Sequence, residues 1–345
     1  MCKYKKYIPA VAAFLMVIIG LIVSFSTNEQ EQYKAGYIDV FDTVTEFIGY
    51  DDSKEAFFEK ARHLNDQLKV YHQLYDIYNE YEGINNLKTI NLNAGIQPVK
   101  VDNKIIDLLK YSKELYTNTN GKINVAFGSV LSIWHKYRSY GKELPPMDLL
   151  QEASKHCDIN NVIIDEEQST VYLSDPEMSL DVGSIGKGYA VQMVAEYARE
   201  AGFDNLVINC GGNVAAIGTK ADDSNWILGI QNPNLDAADN VLKRVSIHDK
   251  CLVTSGDYQR FYVVDDVEYC HIIDPNTLMP ATYFSAVSII CDHSGLADAL
   301  STALFNMPFE EGLAIIKSIE GAEAIWVYED GSIKYSENFE EYIVE

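Results

Sequence analysis

From Asn205 to Tyr335 short apolar runs follow one another with little room for helices between them. Asn205–Cys210, Trp226–Ile230, Val241–Ile247, Phe261–Val264 and Ala286–Cys291 are the strand candidates, with Leu296–Asn306 as one helix among them. Ala324–Tyr328 and Ile333–Tyr335 read as a closing hairpin around Glu329-Asp330-Gly331. Strands joined by short links pair antiparallel, so this succession predicts an α+β fold with a largely antiparallel sheet and packed helices. Upstream, Tyr37–Tyr50 alternates like a strand, and Lys54–Tyr81 has helical periodicity. Lys104–Tyr116 reads as another helix, and one more follows Gly121. Asn161–Leu173 reads as a strand pair and Lys187–Ala201 as a helix with Ala190, Val191, Val194, Ala195 and Ala198 on one side. One large domain or two intimate lobes fit equally.

The N-terminus is a separate matter. Tyr7–Phe25 is an uncharged apolar run of 19 residues behind Lys3, Lys5 and Lys6. As a helix it is long enough to cross a hydrocarbon layer of about 30 Å, and the lysines place its N-terminus in the cytoplasm. An uncleaved anchor is favoured over a cleaved signal peptide, because the run exceeds a usual signal core. Residues 1–27 are thus read as the anchor or signal segment, 28–36 as a polar stalk, and 37–345 as the body, lying outside the cytoplasmic membrane. No Cys follows the run, so lipid attachment is unsupported.

Net charge narrows function. The chain carries −24, and residues 28–345 hold 51 acids against 24 bases. Such a surface repels nucleic acid phosphates. The body's five cysteines show no CxxC or zinc spacing, and read as buried small hydrophobes.

Four clusters break the ordinary patterns. Leu180-Asp181-Val182-Gly183-Ser184-Ile185-Gly186-Lys187-Gly188 runs from an apolar strand through a carboxylate, three glycines and a lysine into a helix. Exposed amides at a helix N-terminus beside a cation suit a phosphate, although a plain strand-to-helix turn also accounts for the spacing. It is not a Walker loop. Asn209-Cys210-Gly211-Gly212-Asn213 fits a close backbone approach to a ligand, or a tight turn. Thr254-Ser255-Gly256-Asp257-Tyr258 is followed by Cys270-His271-Ile272-Ile273-Asp274-Pro275, a histidine beside a turn in a hydroxyl-rich stretch. Asp298, Ser301 and Thr302 share one helical face, where hard oxygens suit Mg²⁺; a carboxylate favoured by the helix dipole is the plainer alternative.

Taken together these clusters resemble the ApbE family of FAD:protein FMN transferases. The resemblance runs from Tyr37 to Asn306 through FDTVTEF (41–47), NGKINVAFGSVLSIW (120–134), LDVGSIGKGYAV (180–191), INCGGNVAAIG (208–218), TSGDYQRFY (254–262), HIIDPNTLMPA (271–281) and DALSTALFNM (298–307). It implies an α+β enzyme, monomeric or dimeric, outside the cytoplasmic membrane. Such an enzyme takes FAD as substrate with Mg²⁺ and joins FMN by a phosphoester to a threonine or serine of an acceptor protein, releasing AMP. By motif position, Asp181 and Lys187 hold FAD, and Lys122, Ile123, Asn124, His271 and Ile272 border the flavin nucleotide. Phe41 and Tyr78 are looser carry-overs. Ser184, Asp298, Ser301 and Thr302 form the implied metal set.

Asn124, Cys270 and Leu278 depart from the Asp, His and Gly common in the family; none touches the metal set. The expected reaction is attack of the acceptor hydroxyl on the FMN phosphorus. His271 is the first candidate for taking its proton and Asp298 the second. A tethered FAD-binding protein and an FAD pyrophosphatase are the rival readings. The family suggests subunits of membrane redox complexes or extracellular flavin-dependent reductases as acceptors.

Overall fold

The structure, a computed structural model, describes residues 31–258 and 260–345. The expected anchor at 1–27 lies outside the described residues. Among those that are described, no helix is long and apolar enough to cross a membrane.

A hairpin of β1 (Glu31–Val40) and β2 (Thr43–Asp51) opens the chain, followed by α1 (Lys54–Tyr75) and the short α2 (Leu87–Leu92). Next come β3 (Val99–Lys100), α3 (Asn103–Asn118), α4 (Gly128–Tyr140), α5 (Met147–Ser154), β4 (Val162–Asp165), β5 (Thr170–Leu173) and α6 (Gly186–Glu200). Then strands dominate: β6 (Asn205–Cys210), β7 (Asn213–Gly218), β8 (Trp226–Gln231), β9 (Val241–Ile247), β10 (Cys251–Gly256), β11 (Phe261–Val264), β12 (Val267–Cys270) and β13 (Ala286–Cys291). The chain ends with α7 (Ser294–Phe305), α8 (Phe309–Lys317), β14 (Glu323–Val327), β15 (Ile333–Tyr335) and β16 (Ile343–Val344).

Eight strands form one sheet in the order β1-β2-β6-β7-β10-β13-β14-β15, and every pairing in it is antiparallel. Smaller sheets are β16-β9-β8, β3-β5-β4 and the hairpin β11-β12. The large sheet is covered on both faces, which is why β14 is buried along its whole length and apolar from Ala324 to Val327 instead of alternating. Ala324 and Trp326 join the main core against the helices, and Ile325 and Val327 join a second core under β8 and β9. A third cluster, Phe127, Val130, Trp134, Leu150, Tyr262, Ile273 and Leu278, ties α4 to the hairpin and to the loop after it.

The antiparallel α+β expectation holds, with three local corrections. The stretch expected as a stalk is, from Glu31 onward, strand β1. Its polar residues alternate with Ala35, which is buried, and with Tyr33 and Tyr37, which pack on the core. Tyr37–Tyr50 is not one strand: Phe41 and Asp42, at φ +53° and +51°, turn the chain back into β2. The first helix ends at Tyr75, because the Asp76 carboxylate accepts hydrogen bonds from the Tyr78 and Asn79 amides and closes a turn.

All five cysteines in the described part are unpaired.

Candidate functional site

Helices α6 and α7 lie side by side on the large sheet, and their contact builds the centre of the site. α6 begins without a side-chain cap of its own, leaving amides free at its positive end. One is used across the interface: Gly188 N donates to Asp298 Oδ2 at 2.7 Å. A carboxylate from one helix thus caps another, which differs from the dipole reading of Asp298 on its own helix. Only glycine permits it, because a Cβ at 188 would land on the Asp298 Cβ and 2.5 Å from the Ser294 carbonyl oxygen.

Asp298 is 7% exposed, and burial raises its carboxyl from the ordinary value; Lys187 and the Gly188 amide pull the other way. Lys187 Nζ donates to the Gly211 carbonyl at 3.0 Å, joining the first glycine cluster to the second. Gly211, at φ +55°, has the Thr43 side chain against it: a Cβ there would sit 2.8 Å from Thr43 Cβ. The FDT turn is therefore held at the same place. Phe41 hangs beside it, its amide donating to His72 Nδ1 at 3.2 Å.

Asp181 is buried at the mouth of the glycine loop. Its amide donates to the Val125 carbonyl at 2.9 Å and its Oδ1 accepts from Gly183 N at 2.8 Å. Ser184 is half-buried in that loop, and among the described residues no protein group bonds its hydroxyl. Thr302 is half-buried, whereas Ser301 is 0% exposed, with its hydroxyl donating to the Asp298 carbonyl at 2.9 Å.

The other end of the site is built from loops. Lys122 Nζ and Asp274 Oδ1 form a buried ion pair at 2.7 Å, binding the 120–127 turn to the loop after β12. The Lys122 ammonium is therefore already engaged. Ile123 is fully buried in the main core, so its side chain does not face a ligand. Asn124 is occupied structurally, its Oδ1 accepting from Ala126 N and its Nδ2 donating to the Cys157 carbonyl, both at 2.9 Å. Ile272 is buried, and its carbonyl accepts from Ala281 N.

His271 Nδ1 is 3.1 Å from the Arg260 carbonyl, which only accepts, so Nδ1 carries the proton and Nε2 keeps a lone pair. Burial, then the Arg260 and Arg138 charges, push its pKa down to about 4. Tyr78 is exposed, and its hydroxyl pairs with His135 Nδ1 at 3.0 Å. Burial lowers the His135 pKa while the Asp181 charge raises it, with Arg138 and Arg260 again opposing protonation.

Sequence reasoning missed two arginines here, and held Asn213 and Ser255 only as members of their clusters, without a role. Arg138 and Arg260, two of five arginines in so acidic a chain, both act on His271 and His135. Scarcity of arginine was the only available signal. Asn213 is 1% exposed beside Asp298, and its influence favours the charged carboxylate although its Nδ2 makes no hydrogen bond of normal geometry. Ser255 meets Ser301 and Thr302. No group of three or more His, Cys, Asp or Glu suited to a metal occurs among the described residues. A metal here would rest on one carboxylate and hydroxyls, the donor type of Mg²⁺. That set fits: the buried Asp298 carboxylate has Oδ2 taken by the Gly188 amide and otherwise only the Asn213 side chain beside it.

A family model described as the ApbE family matches residues 41–326. A FAD:protein FMN transferase of Treponema pallidum is 33% identical over 264 residues, covering 72% of each chain. One of Klebsiella pneumoniae is 30% identical over 245 residues, covering 71% of this chain and 75% of its own. Among solved structures, the ApbE protein of Thermotoga maritima superposes with a TM-score of 0.80 at 27% identity, over 91% of this chain and all of that one. The flavin transferase ApbE of Vibrio cholerae, at 22% identity and a TM-score of 0.76, shares the fold. This chain belongs to the ApbE family.

Proposed function

We propose that the protein is an Mg²⁺-dependent FAD:protein FMN transferase that attaches FMN through a phosphoester to a threonine or serine of an acceptor protein and releases AMP. The observation that supports it best is the junction of Lys187, Gly188 and Asp298. It combines a helix N-terminus, a cation and a buried carboxylate, in a chain whose relatives carry that activity by name.

A pyrophosphate brought to a protein of charge −24 needs local positive charge, and Lys187 with Arg138 and Arg260 supplies it. Asp298 and Thr302, with Ser184 from the glycine loop, would hold Mg²⁺. When bound, that ion neutralises the phosphate charge that grows as the leaving group departs. Asp181 and Lys187 orient FAD, and Phe41, Tyr78 and Ile272 border it. The acceptor hydroxyl oxygen attacks the FMN phosphorus, the new O–P bond forms as the P–O bond to AMP breaks, and the hydroxyl proton passes to His271 Nε2. A neutral imidazole is ready for that task throughout the physiological range.

The apolar run at 7–25 would tether the enzyme outside the cytoplasmic membrane, where its acceptors would be flavin-bearing redox subunits or reductases. Incubation of the pure protein with FAD, Mg²⁺ and such an acceptor domain tests the proposal by mass spectrometry. An FMN-sized mass gain on the acceptor, lost in Asp298→Asn, supports transfer. AMP release without acceptor marks a pyrophosphatase instead, and binding without turnover marks a carrier.

A further inference from the structure

Three hydroxyls behind Asp298 form a chain whose proton order can be counted. Ser301 Oγ is 2.9 Å from the Asp298 carbonyl oxygen, which only accepts, so the single Ser301 proton is committed there. Ser255 Oγ is 2.8 Å from Ser301 Oγ. With the Ser301 proton committed, Ser255 is the donor in that contact. Ser255 then has only acceptor capacity left for its second neighbour, Thr302 Oγ1, at 3.4 Å. That contact is the longest in the chain, and among the described residues it is the only one made by the Thr302 hydroxyl. The Thr302 proton therefore points back toward β10, and its lone pairs point away from Ser255.

The scaffold holds this order. β10 is paired on both sides, to β7 and β13, with Ser255 opposite Val287. Cys251 and Val253 face the helical core, and Ser255 keeps their phase along the strand. A hydroxyl on that face is costly unless satisfied, and α7 satisfies it with two further hydroxyls.

We propose that Ser255 is a positioning residue for the metal: by accepting the Thr302 proton it turns a Thr302 lone pair toward the cation, while Ser301 relays the order instead of ligating. This rests on the metal reading of Asp298 and Thr302 above. Ser301, expected as a ligand from motif position, becomes the inner link of the relay, because its oxygen is fully buried and engaged by Asp298 and Ser255.

The test is Mn²⁺ affinity of the full chain with FAD, followed by electron paramagnetic resonance, with Mg²⁺ as competitor and thermal unfolding of each variant alongside. Removing a partner that orients a ligand weakens metal binding by about 10-fold to 100-fold, which is the loss expected for Ser255→Ala. Ser255→Cys, close in size but a poor acceptor, should fall with it. Ser255→Thr, which keeps the hydroxyl, should restore most of the affinity. Because Ser255 acts through Thr302, the Ser255→Ala/Thr302→Ala double variant should bind no more weakly than Thr302→Ala alone. Wild-type affinity in Ser255→Ala with weakened Thr302→Ala would overturn the relay and leave the metal site standing. Losses that multiply in the double variant would overturn it as well. Unchanged affinity in Thr302→Ala would remove the metal reading itself.

Discussion

At the helical end of the site Asp298 is gripped by the backbone of a neighbouring helix, with glycine allowing the approach and the main core on every side. At the loop end His271 and Lys122 stand on loop segments that reach the main core through Ile123 and Ile272 and are tied to each other by one ion pair and a satellite cluster. Backbone hydrogen bonds and close packing leave the first few ways to adjust. The second is set by side chains that an exchange removes one at a time. Substitutions at the helical end should therefore act on metal binding, and substitutions at the loop end on stability, with His271, the proposed base, as the loop-end residue that acts on the rate.

The largest effect is expected for Gly188→Ala. The added methyl must push Asp298 or the Ser294 backbone aside, and overpacking of this kind costs about 1–3 kcal/mol even where the fold survives. Because the displaced group is the proposed metal carboxylate, transfer should drop to background while unfolding shifts only moderately. Gly183→Ala is the control: its Cβ meets only Asp181 Oδ1, at 3.1 Å, and activity should fall far less. Equal losses in the two variants would mean that the close contact of Gly188 with Asp298 is not what sets the activity.

Lys122→Met probes the loop end. It leaves Asp274 buried without its cation, and breaking one side of a buried pair costs about 3–5 kcal/mol. Chemical denaturation should show the loss, and Lys122→Met/Asp274→Asn should recover part of it, since Asn276 N can still donate to the amide oxygen. Metal affinity should stay unchanged. A parallel fall in metal affinity would mean that the two ends are one mechanical unit.

His271→Ala should slow transfer by about 10²-fold to 10⁴-fold, the usual contribution of a general base, with FAD binding retained. Loss of both together would make His271 a binding group. The pH dependence sharpens the assignment. A histidine held down to about 4 is neutral above that pH, so its own limb in kcat/KM should appear only as pH drops through about 4. Arg260→Gln removes a charge that opposes protonation, so this limb should move to higher pH. Asp298, its carboxyl raised by burial, adds an acid limb of its own, and raising Mg²⁺ should shift that limb alone. A single limb near the ordinary histidine value would contradict the role of burial and of the two arginines.

The same contrast governs how much could be read before the fold was seen. Strands from Asn205 onward, the loop at 180–188 and the Asp298/Thr302 face are local patterns of period, glycine and helical spacing. The strands and the helical face survive, and the loop turns into α6 as read, but no strand leads into it: β5 ends at Leu173 and residues 174–185 carry none. β7 and β10 escaped because Asn213 and Thr254-Ser255 interrupt the apolar pattern where those strands reach the site. Ser255 meets Ser301 across 46 positions, and Lys122 meets Asp274 across 152; no window of sequence contains such pairs. Motif position put Ile123 and Asn124 in the site neighbourhood, but only packing revealed that one is core and the other holds a turn.

The smallest effect concerns Leu278, which stands where family members commonly carry glycine. Its φ of +62° is left-handed, a conformation costing a residue with a Cβ about 1–2 kcal/mol. Against that strain, its side chain is buried in the satellite cluster, and burying a leucine contributes about 1.5–3 kcal/mol. The loop itself is held by the backbone: Leu278 N donates to the Asp274 carbonyl at 2.8 Å, and the Leu278 carbonyl accepts from Trp134 Nε1 at 3.0 Å. Leu278→Gly keeps both bonds, relieves the strain and loses the packing, so the two terms nearly cancel. Stability should fall by about 1 kcal/mol or less, with the FAD KM and metal affinity unmoved. A stability gain larger than that would mean the strain outweighs the burial. A raised KM without loss of stability would mean that the Leu278 side chain shapes the flavin end directly.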